Sequence, residues 1–475
     1  MNGDALDRHA ARVRQELELL DYPRRPWMPT PARAAADPVF DVLDVLIVGA
    51  GQGGLAAAFG LGRERVSNVL VVDDNPLDRA GPWLNFARMR TLRTPKYLTG
   101  PDLGVPSLTP RAWYEAQHGA GSWEAMGLIP KETWAAYLAW YRQTLEIPVR
   151  PDTRVGALRW NGGAAAWEVP VSDARGGQAS ETLLARRVVL ATGIDGSGEW
   201  EIPAMIRDPL PRSLYAHTRW DIDFAALAGK RVAVLGAGAS AFDNAATALE
   251  HGAREVRLCF RRPTLVNVNA YRWAETVGFL KHAGDLPDAD KWRFIRQILR
   301  MGQLPPTDTL ERARQHAGFH LHGGCTWQSV ESHAGGVRIR GAGGDTHDAD
   351  FVIVGTGFVT DLRRRPELAE VEPHIARWSD RYQPPEDQRH DDLARHPYLG
   401  PAFEHTERQP GAAPYLRYLH NYTFGGLASL GFGGASISGM KYSIPRLAAG
   451  ITGSLFVEDR DAHFQSLCEY AEAEF

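Results

Sequence analysis

Short runs of apolar, mostly β-branched residues, each ending in a glycine-rich turn, recur along the chain. The first run, Val45–Val48, leads into the turn Gly49–Gly54, and another, Val232–Leu235, leads into a turn that starts at Gly236. Runs of this length predict buried strands, and the residues behind each turn suit a helix. The pattern therefore predicts two strand–turn–helix units.

The pattern predicts further elements outside these two units. Ala5–Leu20 has the pattern of an amphipathic helix, and the Pro- and Arg-rich segment Tyr22–Pro38 that follows it suits a connector. We interpret residues 1–40 as a surface extension or arm. Thr153–Trp160 and Ala165–Val171, on either side of an Asn-Gly-Gly turn, predict a β-hairpin.

Two further segments are predicted to be a helix and a loop. Pro130–Tyr141 is predicted to be a helix in which Trp134, Tyr137 and Tyr141 share one face, and core packing is the favoured explanation of that face. Leu92–Thr109 is rich in Pro, Gly and Thr and predicts an irregular loop.

The first glycine turn has the spacing of a dinucleotide-binding site. Gly49 permits the tight turn, Gly51 lets the backbone approach a pyrophosphate, and Gly54 lets helix and strand pack closely. The helix N-terminus supplies free N–H groups and a positive dipole for the phosphates. Asp73 ends the next predicted strand, where a carboxylate accepts hydrogen bonds from ribose hydroxyls, so this site suits FAD or NAD.

The second turn has the same spacing, but positive charge replaces negative charge at the end of the strand that follows it. Gly236 and Gly238 take the first two glycine positions, and Ala241 replaces the third glycine. Arg261 and Arg262 stand where the first unit has its carboxylate. A guanidinium pairs with a phosphate and a carboxylate would repel it, so this site favours NADPH.

Two different dinucleotides on one chain imply electron transfer between them. Ala191-Thr192-Gly193 and Gly355-Thr356-Gly357 each end a short strand in small residues, which brings the backbone close to a cofactor. We predict an α/β fold of two nested Rossmann-like domains, an FAD domain with an inserted NADPH domain. The predicted division is an N-terminal extension (1–40), the first part of the FAD domain (41–205), the NADPH domain (206–357) and the second part of the FAD domain with C-terminal helices (358–475).

Composition narrows the classes of partner. With 44% hydrophobic and 23% charged residues, the chain has the make-up of a globular protein, and a net charge of −4 without a basic block argues against nucleic acid. No apolar run reaches the length of a membrane span, and no secretory signal is visible, so we expect a cytoplasmic protein. The three scattered cysteines offer no Cys-x-x-Cys pair, which argues against a disulfide reductase. We assign no metal site, and the oligomeric state stays open, with a homo-oligomer among the options.

These motifs resemble those of the class B flavoprotein monooxygenases, the group of flavin-containing monooxygenases, N-hydroxylases and Baeyer–Villiger enzymes. Their GxGxSA motif for NADPH is similar to the segment Gly236-Ala-Gly-Ala-Ser240-Ala241. The resemblance therefore implies that Ser240 belongs to the NADPH site. Gly81-Pro-Trp83 resembles a segment whose Trp lies near the flavin. Phe351–Asp361 resembles their second strand of the Ala-Thr-Gly type, with Gly355 in the place of Ala.

The resemblance implies a reaction. NADPH would reduce FAD, the reduced flavin would add O2 to form a C4a-(hydro)peroxyflavin, and the bound NADP⁺ would protect it. The protein would supply position and electrostatics, and the substrate would be a small molecule.

One departure from the family pattern bears on the substrate. The linker fingerprint that normally precedes the NADPH unit keeps His217, but Ser213 replaces its Gly, Pro211 its Phe and Asp221 its aromatic residue. We therefore favour oxygenation of nitrogen or sulfur in a small metabolite over Baeyer–Villiger oxidation of a ketone. An NADPH-dependent flavin reductase or dehydrogenase, and a non-catalytic flavin-binding redox sensor, are the alternatives from other classes.

Several side chains are candidates for positioning the reaction. His217 could orient NADP⁺ or the peroxide, Lys96 could stabilise the negative charge of the peroxide, and Asn421 and Tyr422 could bind a polar substrate. Each has a competing structural interpretation: a satisfied histidine, a solvated cation, and packing of a strand end.

Three further residues are assigned more loosely. Trp83 is expected either to form a wall of the flavin site or to pack in the core. Ser443 is predicted as the N-cap of a C-terminal helix, with Pro445 near its first position, whose dipole could point at the flavin. Asp243 is interpreted as solvent-facing.

Overall fold

The computed structural model describes residues 3–20, 23, 25–29, 42–176 and 179–474 of the 475-residue chain. Most of the connector predicted at Tyr22–Pro38 lies outside the described residues.

Strands and helices follow one another along the chain, with short 3-10 turns in several connections. The strands are β1 (Leu43–Val48), β2 (Val69–Val72), β3 (Val149–Arg150), β4 (Thr153–Val155), β5 (Arg159–Asn161), β6 (Ala166–Asp173), β7 (Ala179–Leu190), β8 (Gly198–Trp200), β9 (Tyr215–His217), β10 (Arg231–Leu235), β11 (Glu255–Phe260), β12 (Phe319–Gly323), β13 (Trp327–His333), β14 (Gly336–Gly341), β15 (Thr346–Ala349), β16 (Phe351–Val354), β17 (Phe358–Thr360) and β18 (Leu419–Asn421). The helices are α1 (Gly3–Leu19), α2 (Gln52–Arg63), α3 (Pro110–His118), α4 (Ser122–Ala125), α5 (Lys131–Thr144), α6 (Ala204–Arg207), α7 (Ala239–Glu250), α8 (Ala270–Ala274), α9 (Val277–His282), α10 (Asp288–Met301), α11 (Thr307–Arg314), α12 (Trp378–Arg381), α13 (Asp391–Ala394), α14 (Leu427–Leu430), α15 (Met440–Glu458) and α16 (Arg460–Glu469).

The first sheet has the strand of the first fingerprint at its centre. Its parallel part has the order β3-β2-β1-β7-β18, and Val45 on β1 pairs with both Val69 and Arg187. The predicted hairpin forms its antiparallel extension, in which β6 pairs with β4, β5 and β7.

The second sheet is parallel throughout and has the order β12-β11-β10-β16-β9. Its central strand β10 carries the second fingerprint, and an antiparallel meander, β13-β14-β15, precedes β16. Strands buried on both faces explain why β1 and β10 are continuous apolar runs in the sequence.

The second sheet lies within the chain of the first. The chain leaves the first sheet after β7, forms the second sheet from β9 to β16, and returns to the first sheet with β18. The outgoing strand β8 and the returning strand β17 pair with each other, with Trp200 opposite Phe358. This architecture, in which a parallel sheet is nested within a mixed sheet and helices flank both, confirms the predicted fold class.

The aromatic face of α5 belongs to the core. Trp134, Tyr137 and Tyr141 are all fully buried, and the two tyrosine hydroxyls donate hydrogen bonds to the carbonyls of Leu108 and Pro101, each at 2.8 Å. The core interpretation of this face is therefore confirmed.

The N-terminal helix is packed more tightly than the sequence suggested. Val13 on α1 is fully buried in the same core as α2 and α5. The Glu16 carboxylate accepts hydrogen bonds from the Ser107 N–H at 2.7 Å and the Ser107 hydroxyl at 2.6 Å. The apolar face of α1 therefore packs against the core of the first domain, and its other faces are largely exposed.

The predicted start of the C-terminal helix is also wrong. α15 begins at Met440 after Gly439, so Ser443 and Pro445 lie inside the helix. A side chain at Gly439 would place its Cβ 2.1 Å from the Phe432 carbonyl oxygen, so close packing fixes glycine at this position. Pro445 is the sixth residue of α15 and lacks the N–H that would donate to the Lys441 carbonyl, so this helix has a proline in its interior.

Two glycines in α2 give a matched pair of substitutions. A methyl group at Gly54 would lie 1.8 Å from the Gly49 carbonyl oxygen, whereas nothing lies within 4 Å of one at Gly62. We expect Gly54→Ala to lower the free energy of unfolding by about 1–3 kcal/mol or more. Gly62→Ala should be neutral or stabilising by up to about 1 kcal/mol, because it removes flexibility from the unfolded chain. Denaturant unfolding of both variants checks this, and equal stability would contradict the close approach of α2 to β1.

Candidate active site

The first fingerprint forms a backbone cradle that is free of side chains. Gly49 has φ of +108°, and a Cβ there would lie 2.5 Å from the Ala191 carbonyl oxygen at the end of β7. A Cβ at Gly51 would have only the Gly81 Cα near it, at 3.8 Å. Gly49 and Gly54 are therefore needed for packing, whereas Gly51 leaves space at the N-terminus of α2, where a pyrophosphate can be bound.

Asp73 lies at the end of β2 beside this cradle. Its Oδ2 accepts a hydrogen bond from the Ala50 N–H at 2.7 Å, and its Oδ1 accepts one from the Asn75 N–H at 2.8 Å. Burial raises the pKa of Asp73, and these hydrogen bonds act in the opposite direction. The carboxylate is thus fixed next to the fingerprint turn, at the position that suits a ribose.

The second fingerprint repeats this arrangement with one exchange of small residues. A Cβ at Gly236 would lie 2.2 Å from the Gly355 carbonyl oxygen, and Gly238 has only Gln303 Oε1, at 4.0 Å, near it. A Cβ at Gly355 would lie 2.7 Å from that of Ala241. The alanine at the third position therefore fits because glycine stands opposite it at the end of β16.

The two arginines that follow β11 have different environments. The Arg262 guanidinium donates hydrogen bonds to the carbonyls of Arg300 and Met301, both at 2.9 Å, and so satisfies the C-terminus of α10. Arg261 is exposed, and no ion pair or hydrogen bond of its side chain occurs among the described residues. Arg261 is thus the more available guanidinium for a phosphate at this strand end.

Trp83 belongs to a group of residues beside the first cradle. Its ring is almost completely buried and meets the Trp134 ring edge-on, with centroids 6.3 Å apart. The Trp134 indole N–H in turn donates to Gln52 Oε1 at 3.2 Å. This contact ties α5 and the Gly81–Trp83 segment to the first turn of α2.

Thr192 and Thr356 occupy the equivalent ends of β7 and β16. The Thr192 hydroxyl is buried and has no hydrogen-bond partner within the part of the chain that the structure describes. The Thr356 hydroxyl donates to the carbonyl of Glu201 in the outgoing linker. Thr192 therefore has an unused hydrogen-bonding group at the first strand end, and Thr356 joins the two linkers.

His217 is neutral and fully enclosed at the end of β9. Its Nδ1 accepts a hydrogen bond from the Arg219 N–H at 3.1 Å, and its ring lies 5.2 Å from that of Trp200. Burial lowers the pKa of His217 to about 4. Any role of this ring at neutral pH is consequently that of a hydrogen-bonding group and not of a cation.

Lys96 is held by residues of α4. Its Nζ donates to the Trp123 carbonyl at 2.6 Å, lies 5.4 Å from the centroid of the Trp123 ring and is 3.9 Å from the Glu124 carboxylate. These groups of α4 hold the Lys96 ammonium by a hydrogen bond, a cation–π contact and opposite charge. The Lys96 side chain therefore points toward α4.

Asn421 and Tyr422 are occupied by contacts within the protein. The Asn421 amide donates to Ser197 Oγ at 2.9 Å and accepts from the Thr423 hydroxyl at 2.6 Å. The Tyr422 hydroxyl is 2.6 Å from Ser443 Oγ, which donates to the Gly433 carbonyl at 2.9 Å. The two residues therefore hold the end of β18 in place, and Ser443 is the partner of Tyr422 instead of a helix cap.

The sequence interpretation missed Asp243 and its partners. Asp243 is buried, and its carboxylate pairs with Arg93 Nη2 at 2.5 Å and accepts from the Thr309 hydroxyl at 2.9 Å. The assignment of Asp243 to solvent is wrong, because one face of α7 is covered by α11 and by the Leu92–Thr109 loop. A carboxylate within the apolar run of α7 was the signal available in the sequence.

The cysteines are also closer than their sequence spacing implies. Cys259 lies beside Cys325, and burial raises the pKa of the Cys259 thiol to about 12. All three cysteines are free. Protonated, buried Cys259 does not provide the reactive thiolate that a redox dithiol needs.

Comparisons with known proteins agree with this geometry. Residues 43–278 match the family model "Pyridine nucleotide-disulphide oxidoreductase". The chain is 46% identical over 463 residues to an FAD-dependent urate hydroxylase of Xanthomonas campestris, covering 98% of this chain and 96% of that protein. It is also 32% identical over 211 residues to a Baeyer–Villiger monooxygenase of Streptomyces coelicolor, covering 44% and 36% of the two chains.

Solved structures show the same fold. An ornithine hydroxylase of Pseudomonas aeruginosa has a TM-score of 0.67 over 89% of this chain and 100% of that chain, at 16% identity. A flavin-containing monooxygenase of Stenotrophomonas maltophilia has a TM-score of 0.58 over 87% and 99%, at 18% identity. The chain belongs to the class B flavoprotein monooxygenases.

The residues present fit the FAD of this class. The open backbone at Gly51, the N-terminus of α2 and the buried Asp73 carboxylate supply what its pyrophosphate and ribose require. No helix in the described part of the chain is long and apolar enough to cross a membrane. Within the same residues, no group of three or more His, Cys, Asp or Glu could hold a metal ion.

Asp73 and its neighbour Asp74 test the ribose site. Asp73→Asn removes the charge and leaves one acceptor where two oxygens now each hold a backbone N–H, so we expect FAD to bind about 10–100-fold more weakly. Asp74 is exposed, so Asp74→Asn should stay within about twofold of the parent protein. Fluorescence titration of the apoproteins with FAD measures both. An unchanged dissociation constant in Asp73→Asn would contradict this assignment.

Proposed function

We propose that this enzyme uses FAD and NADPH to hydroxylate urate or a closely related oxopurine. The observation that carries the proposal is the 46% identity to a urate hydroxylase over almost the full length of both chains. Identity of that extent includes both nucleotide units and the C-terminal segment, so a shared substrate class is the simplest expectation.

The overall reaction needs four components. Substrate–H, O2, NADPH and a proton give substrate–OH, NADP⁺ and water, so one oxygen atom enters the substrate and NADPH supplies two electrons. When bound, FAD supplies the oxygen-activating chemistry. The chain itself has to hold two dinucleotides, bring them together and exclude water.

NADPH is favoured over NADH by the charge at the end of β11. The strand ends at Phe260 and is followed by two arginines, with no carboxylate at the position that Asp73 occupies in the first unit. A guanidinium at this point can pair with a 2′-phosphate in bidentate fashion. Arg261, whose side chain is exposed and not engaged within the described residues, is the residue we assign to this role.

A row of aromatic side chains lies where the two sheets approach each other and could exclude water there. The rings of Phe86, Trp200, Phe358 and Phe424 follow one another at centroid distances of 6.0, 5.7 and 5.2 Å. They come from the segment after Trp83, from both linker strands and from the residues after β18. Apolar rings at this junction lower the local dielectric and keep water from the reacting groups.

An oxopurine also agrees with the expectation of an electron-rich oxygen acceptor. Oxygenation of nitrogen or sulfur, like hydroxylation of an electron-rich ring, transfers an electrophilic oxygen atom to a nucleophile. A ketone in a Baeyer–Villiger reaction is itself the electrophile. The departures from the linker fingerprint around His217 and the similarity to a urate hydroxylase therefore both favour transfer of an electrophilic oxygen atom to a nucleophilic substrate.

A substrate panel tests the proposed function. The FAD-loaded enzyme is incubated under air with NADPH or NADH and with urate, xanthine, ornithine or cyclohexanone, and products are identified by mass. We expect urate to gain one oxygen atom, NADPH to be used more efficiently than NADH, and the amine and ketone to be unchanged. Conversion of the amine or the ketone alone would contradict the assignment of an oxopurine substrate.

A further inference from the structure

A basic segment of the first domain runs along α7 of the second. We call Arg88–Arg93 the basic segment. Arg93 Nη2 lies 2.5 Å from Asp243 Oδ2, and Arg90 Nη2 lies 2.9 Å from Glu250 Oε1 at the far end of the helix. Arg88 Nη2 is 3.6 Å from Asp221 Oδ1, just before the second fingerprint. Every acid in these pairs belongs to the inserted nucleotide unit.

The three pairs differ in burial, which decides their relative importance. The Asp221 side chain is fully exposed and that of Arg90 is mostly exposed, so their pairs are screened by water and contribute little. The Asp243 side chain is only 5% exposed. A buried carboxylate needs a partner, because desolvation without one is costly, so Arg93–Asp243 is the principal contact of the basic segment.

Asp243 is coupled directly to the second fingerprint. It lies in the second turn of α7, the helix whose N-terminus at Gly238 faces the expected pyrophosphate. Thr309 on α11 binds the other carboxylate oxygen at 2.9 Å, which fixes its direction. A displacement of Asp243 would therefore move the helix on which the nicotinamide dinucleotide depends.

The basic segment is equally firmly attached to the first fingerprint. The Leu92 N–H donates to the Ile129 carbonyl at 2.8 Å, and the Lys131 N–H donates to the Arg90 carbonyl at 3.1 Å, where α5 begins. Trp134, in the first turn of α5, binds Gln52 of the first fingerprint. Hydrogen bonds and an ion pair thus connect Gln52 to Asp243 through α5 and the basic segment.

We propose that the Arg93–Asp243 ion pair is a positioning contact that fixes the two nucleotide units relative to each other, so that a nicotinamide on one can meet the flavin on the other. The proposal rests on the proposed function for its second nucleotide. In the proposed role, Arg93 and Asp243 contact neither reacting ring. They act through α7, and small displacements of reacting groups are sufficient to slow a transfer strongly.

Two variants and a matched control test the contact. Arg93→Gln removes one partner, and Asp243→Asn keeps the shape of the other and its bond to Thr309. Arg231→Gln is the control, because the Arg231 side chain is also 35% exposed and pairs with Asp350 at 2.7 Å, but within one domain. If Arg93→Gln folds poorly, Asp243→Asn and Arg93→Lys carry the test.

Flavin reduction is measured anaerobically by stopped flow at saturating NADPH, with FAD content and reduction by dithionite as references. We expect Arg93→Gln and Asp243→Asn to lower the limiting rate by about tenfold or more with FAD content unchanged, Arg93→Lys to recover part of it, and Arg231→Gln to match the parent. The double variant should be no slower than either single one, because both remove the same contact.

Amide hydrogen exchange provides a readout that needs no turnover. Both variants should exchange faster than the control in residues 86–93 and 239–250. Unchanged rates, unchanged exchange, or effects no larger than those of Arg231→Gln would each overturn the proposal. If the parent enzyme accepts no hydride from NADPH, the proposed function fails, and exchange alone then decides whether this contact holds the two units together.

Discussion

Each nucleotide unit depends on the contact between its glycine turn and the end of the neighbouring parallel strand. Gly49 lies against the carbonyl of Ala191 and Gly236 against that of Gly355, with no room for a side chain in either place. This contact keeps the turn free of side chains and points a helix N-terminus at the open space. The chain crosses between the sheets just beyond these strand ends, through the paired strands β8 and β17.

The second constraint is that two distinct sheets must hold two cofactors at a defined distance. Paired linker strands and an aromatic row join the units at the junction, and ion pairs of the basic segment join them along α7. Linkers alone would permit rotation of one unit against the other. The buried Asp243, which needs its partner from the other domain, adds a contact that is lost when the units separate.

The parts of the molecule that were predictable from sequence are those fixed by local spacing. The fingerprint glycines, the aromatic face of α5 and the hairpin depend on neighbours in the chain, and each of them is present in the structure. The burial of Asp243 and the interior position of Ser443 in α15 were not predicted, because their partners, Arg93 and Tyr422, come from distant segments. The proximity of Cys259 and Cys325 was likewise not predictable, because the two cysteines are far apart in the sequence.

The proposed function requires this chain to couple oxidation of a nicotinamide dinucleotide to insertion of one oxygen atom into an oxopurine. The most direct measurement is a single turnover of the NADPH-reduced enzyme mixed with urate and ¹⁸O2, with product and hydrogen peroxide quantified together. The proposed function predicts one labelled oxygen atom in the product for each NADPH consumed, and little peroxide. Stoichiometric peroxide with unlabelled urate would contradict it.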